Sequence, residues 1–167
     1  MLKKRFTIAA ALALVVVAVP VDTAFGAGTR QLPIHGSYSG TVSFTSATTV
    51  VFTGAGVAGR LGRGTNQGIA VVTGPDGTIP GGLDNVNTET FTAANGDTLT
   101  ITSQDVAVPV APGVTHGTGS WTVTGGTGRF LDATGSGTLD GYADFVRGVF
   151  AFQLNGTIAT PNAVTAP

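Results

Sequence analysis

Cysteine is absent from the 167-residue chain, so no disulfide can staple the fold and no lipid can be attached through an N-terminal cysteine. Stability must come from a hydrophobic core. Lysine stops at Lys4, and after residue 26 the only strong cations are Arg30, Arg60, Arg63, Arg129 and Arg147, against eight acidic residues. No basic stripe exists, which argues against nucleic acid or an anionic membrane surface as partner. Histidine occurs only as His35 and His116, far apart, and without cysteine they make a poor zinc set. No G-x-S-x-G segment is present, so a serine hydrolase is not expected. No metal and no cofactor are expected. Lys and Glu are scarce and helical periodicity never lasts beyond about one turn after residue 26, so helices are not expected either.

The beginning of the chain has another use. Lys3, Lys4 and Arg5 precede an apolar run over 8–19 and the small residues Ala24 and Gly26. A cationic start, a short greasy stretch and small residues form an export signal. The run is shorter than the roughly 20 residues that span a bilayer, and nothing like it recurs. Cleavage is expected after Gly26, giving a secreted or extracytoplasmic protein with no integral membrane segment. Residues 27–158 then form one domain, and 159–167, rich in Ala, Thr and Pro, read as a disordered tail.

Glycine, at 26 residues, and abundant threonine suit short strands and tight turns. From Ser37 the two-residue alternation of a half-buried strand sets Tyr38, Gly40, Val42 and Phe44 against Ser37, Ser39, Thr41 and Ser43. The same alternation marks 98–102, around Leu99 and Ile101, and 118–124, around Trp121 and Val123. A last long strand over 145–158 puts Val146, Phe150, Phe152, Leu154 and Ile158 opposite a mixed face holding Arg147, Val149, Gln153 and Asn155. Further strands are predicted at 50–53, 69–73, 89–92, 106–110 and 135–142, separated by Gly, Pro and Asn turns. Asn95-Gly96 is the strongest hairpin signal and predicts a type I′ turn. The predicted fold is all-β, an antiparallel barrel of about eight strands, with a β-sandwich as the alternative. Closure removes sheet edges that a lysine-free chain has few other means to protect, and the Cys, Trp, Cys spacing of immunoglobulin domains is missing.

Individual motifs mostly have structural explanations. Gly54-Ala55-Gly56-Val57-Ala58-Gly59 matches G-x-G-x-x-G, but no helical pattern follows to present amides to a phosphate, so a glycine-rich strand is expected. Residues 84–89 gather oxygen-bearing side chains, yet Val86 stands where a calcium loop needs an oxygen, so the segment reads as a solvated loop. Asp97 is expected to cap the Asn95-Gly96 turn, His116 to lie on the surface, and Asn155-Gly156-Thr157 fits a glycosylation acceptor. Three residues are candidates for ligand contact: Arg147, if the mixed face of the last strand lines a barrel; Trp121, if it stands at a barrel mouth; and Asp105, as a polar group steering a substrate. No catalytic set is recognised.

Gly125-Gly126-Thr127-Gly128-Arg129-Phe130, followed by Ala133 and Gly135, resembles the G-G-T-G-x-F-x-x-A-x-G segment of plant dirigent proteins and, more loosely, of allene oxide cyclases. The glycines permit a sharp turn, Phe130 is expected to plug the core below it, and Ala133 and Gly135 permit close packing. Over roughly 37–158 the chain also resembles small exported bacterial proteins that share G-G-T-G-R-F, an A-N-G-D turn, matched by Ala94 to Asp97, and an A-x-H-L-G-R-like segment. Here that segment reads Ala58-Gly59-Arg60-Leu61-Gly62-Arg63, with arginine in the histidine's place, so any role of that histidine does not carry over. The resemblance implies an eight-stranded antiparallel barrel with an apolar cavity, often in homo-oligomers. It does not imply chemistry.

Three roles are consistent with these features: a barrel that binds or templates a small apolar molecule without a catalytic motif of its own; an isomerase or cyclase of the allene oxide cyclase type, working mainly by positioning; and a structural or envelope-associated protein. Polar side chains converging inside the barrel favour the second, a packed interior defeats the first, and a Thr-rich outer face that meets other chains would mark the third.

Overall fold

The two-residue alternation runs through nearly all of residues 30–161, the part of the chain that the computed structural model describes. The expected signal, 1–26, lies outside those residues, as does 162–167. Eight strands result: β1 (Leu32–Phe44), β2 (Thr49–Ala58), β3 (Gly62–Pro75), β4 (Leu83–Ala93), β5 (Thr98–Ala111), β6 (Val114–Gly126), β7 (Thr134–Asp144) and β8 (Val149–Ala159). Each pairs antiparallel with the next, and β8 returns to β1, so the sheet closes into a barrel. Tyr38, for example, faces Gly56 on one neighbour and Phe152 on the other. Closure rules out the sandwich and leaves no strand with an unpaired edge.

Several sequence expectations change. Segments 98–102 and 106–110 are one continuous strand, β5, because the polar Ser103 and Asp105 between them continue the inward row of Leu99 and Ile101. The supposed loop at 84–89 belongs to β4, with Asn85, Asn87 and Glu89 facing inward beside Phe91. The last strand starts at Val149: Asp144 accepts from the N–H groups of Val146 (3.0 Å) and Arg147 (2.9 Å), a turn that leaves Val146 exposed. The strand runs on through Ala159, which is buried, one residue beyond the expected domain end. At Asn95-Gly96 only Gly96 takes a positive φ, +88°, and its N–H donates to Ala93 O at 2.9 Å. That is a type I turn followed by a left-handed glycine, not type I′.

The two halves of the lumen differ because their inward residues differ in size. At one end Ile34, Phe91, Leu99, Ile101, Trp121, Phe130, Leu154 and Ile158 fill it, each buried side chain contributing roughly 1.5–3 kcal/mol. Trp121 is 1 % exposed and donates its indole N–H to Thr138 O at 3.1 Å. Its ring occupies space that Gly137 and Gly156 leave open: a Cβ at either would come within 2.7 Å of Trp121 Cζ2. Toward the other end the inward positions shrink to Gly68 and Ala70 on β3, Gly117 and Gly119 on β6, and Gly141 and Ala143 on β7.

The three segments that carry the family resemblance meet at the filled end. Phe130, in a single 3₁₀ turn over Gly128–Phe130, plugs the lumen together with Leu61. The guanidinium of Arg129 lies 4.8 Å from the Phe130 ring centroid, donates to Leu61 O at 3.0 Å and pairs with Asp97 at 3.5 Å. Gly128, at φ +58°, sits so close to the Asp97 carboxylate that any Cβ would collide with it. Asp97 does not cap its turn through the turn's backbone amides: its carboxylate accepts from the Asn95 side-chain amide (2.8 Å) and from the Arg129 backbone N–H (3.4 Å).

Candidate functional site

The small inward residues leave a cavity of about 310 Å³ in the unfilled half of the barrel. One part of its wall is apolar: Val42, Val50, Phe52, Leu139, Phe150 and Phe152. At the rim, Phe44 and Phe145 pack with ring centroids 4.5 Å apart. The opposite wall is polar and comes from β4 and β5: Asn85, Asn87, Glu89 and Asp105. The register explains this cluster, since Asn87 pairs with Ser103 and Asn85 with Asp105 across the β4–β5 ladder. A larger hollow of about 790 Å³ lies on the outside of the sheet, against outward residues such as Ser39, Arg63 and Gln153, and contains no buried carboxyl.

Glu89 is the only glutamate in the chain and is 3 % exposed. Asn66 on β3 donates to its Oε1 at 2.7 Å. Burial pushes its pKa up to about 8, partly offset by the Asn66 bond and reinforced by the charge of Asp105. The Asp105 pKa is also raised by burial, against the pull of amide bonds from Asn87 and Asn85. Tyr38, on β1, is pushed up to about 12 by burial and then by Glu89. Two carboxyls whose pKa values are raised by burial thus share one cavity. Three enclosed atoms near them have no hydrogen-bond partner: the Tyr38 hydroxyl, Asn66 Oδ1 and Asn87 Oδ1. Of their residues, only Asn87 lines the cavity.

The sequence candidates separate. Asp105 lines the cavity. Trp121 lies in the filled half and is not part of the cavity wall. Arg147 is in the turn between β7 and β8, its side chain 80 % exposed and 3.3 Å from the Asp144 carboxylate, outside the lumen. The mixed face of β8 points outward, and there Asn155 accepts from His35 Nδ1 at 2.8 Å. His116 is likewise outside, 3.1 Å from Asp140 and stacked on Tyr142. Gly125, Gly126, Gly128, Phe130, Ala133 and Gly135 belong to the corner at the filled end. Sequence reasoning missed Asn85, Asn87, Glu89 and Asn66. The signal was present, as Asn85, Asn87, Glu89, Phe91 and Ala93 alternate on one face. Among the described residues no group of three or more His, Cys, Asp or Glu is placed to hold a metal ion, and no helix is long and apolar enough to cross a membrane.

The chain is thus a closed, up-and-down, eight-stranded antiparallel barrel, plugged at one end and hollow at the other, the architecture that the dirigent resemblance implied. Among solved structures it is similar to that of a pterocarpan synthase dirigent protein, at 18% identity and a TM-score of 0.45, over 78% of this chain and 91% of that one. No family model and no curated protein matches the chain.

Proposed function

We propose that this is an exported barrel that binds a small, largely apolar molecule in its lumen, with the polar end of that molecule against the β4–β5 wall. The observation that carries it is the 310 Å³ cavity itself, aromatic on one side and lined by two carboxyls and two amide side chains on the other. Such a mixture of apolar walls and a few convergent polar groups is what small-molecule sites offer. The residues before the domain, with their cationic start and short apolar run, support export.

Titration of the protein with naphthalene, followed by NMR shifts of the cavity phenylalanines, tests this reading. Saturable shifts at Phe52, Phe150 and Phe152 are expected, and Ala107→Phe, which fills the cavity from its polar side, should abolish them. A titration that moves none of these rings, or an Ala107→Phe variant that binds as well as the parent, defeats the proposal.

An isomerase or cyclase acting in the same lumen is favoured by one further feature. Glu89, protonated up to about pH 8, is in the form a general acid requires. The test is product formation from a bound reactive substrate: Glu89→Gln should keep binding and lose turnover. Equal turnover by the variant removes the enzymatic alternative.

A further inference from the structure

The hydrogen-bonding groups that the cavity leaves unused define the polar part of its ligand, a step that rests on the lumen being the binding site. Each amide N–H₂ in the polar wall already donates within the protein. Asn66 gives to Glu89 at 2.7 Å, Asn87 to Ser103 at 2.9 Å and to Asp105, and Asn85 to Leu83 O at 3.0 Å. What remains on the lining is the pair of carboxyls, Glu89 and Asp105. An ionised carboxyl only accepts, so in that form the wall suits a ligand that donates.

Charge narrows the class. Among the described residues no arginine and no histidine lines this cavity, so its two acids have no cationic partner. Phe52, Phe150 and Phe152 line the same space, and aromatic π-faces attract cations. We propose that the lumen selects small aromatic or alicyclic amines, held as ammonium ions against Glu89 and Asp105, over neutral and anionic molecules of the same shape.

The surroundings of Glu89 set the proton balance. It is faced by Tyr38 from β1, Asn66 from β3 and Asp105 from β5, none of them a cation. The empty cavity therefore keeps Glu89 protonated at neutral pH, and an arriving ammonium ion lets it ionise and release that proton. Binding of the amine should tighten as pH rises toward about 8, where Glu89 ionises unaided.

The experiment compares three naphthalene probes of one shape by fluorescence titration at pH values of about 6 and about 8, covering the lower half of the Glu89 transition: 2-naphthylmethylamine, 2-naphthylmethanol and 2-naphthoate. The amine should bind about tenfold or more tighter than the alcohol at the higher pH. Its advantage should shrink at the lower pH while the alcohol's affinity stays level, and the naphthoate should bind least. Glu89→Gln, which keeps an oxygen for Asn66, should bring the amine down to the alcohol's affinity, while an unchanged circular dichroism spectrum and an unchanged affinity for naphthalene, which has no polar end, report that the variant is folded. Should the variant fail to fold, Asp105→Asn replaces it with the same expectation. Equal binding of amine and alcohol at the higher pH, or an amine preference that survives the folded variant, overturns the proposal. Failure of all three probes to bind overturns the lumen as a ligand site, and the preference with it.

Discussion

Glu89 carries the clearest residue-level consequence. Unfolded, its carboxyl loses its proton near pH 4.5; folded, it keeps it to about pH 8. Between those values the unfolded chain binds fewer protons than the native one, so stability falls as pH rises, by as much as about 5 kcal/mol over the window. Below it the carboxyl is protonated in both states and the dependence disappears. Thermal melts should therefore decline from about pH 5 to pH 8, and Glu89→Gln should flatten the slope; a variant with an undiminished slope would show that another group is responsible. The same residue shows the limit of what the sequence discloses. Periodicity states which residues share a face but not which face is wet, and polar residues at alternate positions are read by default as outside. Asn85, Asn87 and Glu89 break that default together. Asp105 is a candidate in the sequence but has no place there, because only the β4–β5 register brings it opposite Asn85. Arg147 is misplaced when the last strand is started four residues early, and Trp121 obeys the ordinary tendency of its type toward the core.

Strands and turns are more readable. Apolar residues at every second position disclose β1, β6 and β8, and Gly, Pro and Asn clusters disclose the breaks between most strands. The corner at Gly128–Phe130 has a signature of its own, but its lock is invisible, since Leu61, Asp97 and Arg129 are brought together only by the closed sheet. Arg129→Ala should cost about 1–2 kcal/mol through the lost bonds to Leu61 O and Asp97, read as a lower denaturation midpoint with an unchanged m-value. Gly156→Ala should be at least as damaging, about 2 kcal/mol or more, because its methyl meets both the neighbouring backbone and Trp121. A red-shifted Trp121 emission would accompany that loss, and an unshifted spectrum with native stability would contradict the close packing described.

For the molecule as a whole, closure makes every strand a central strand. The prolines of the described residues respect this: Pro33 lies near the start of β1, Pro75 ends β3, Pro109 adjoins a register shift near the end of β5, and Pro80, Pro112 and Pro161 are in turns. A proline at Ser39, paired with Ala55 on one side and Ala151 on the other, would remove a ladder hydrogen bond in mid-barrel. Ser39→Pro should abolish the cooperative transition, measured by circular dichroism on heating, whereas a substitution to threonine at the same outward position should be nearly neutral. Persistence of a sharp melt in the proline variant would mean that the β1–β8 seam contributes little.

An even count of antiparallel strands brings the polypeptide back to where it set out. Leu32 and Ile158 are partners across the β1–β8 seam, at the plugged end, so both leads of the domain depart from the face opposite the hollow. Tethering the protein to a bead or a fusion partner by either lead would hold the opening outward, and such conjugates should capture small molecules as readily as the untethered protein does.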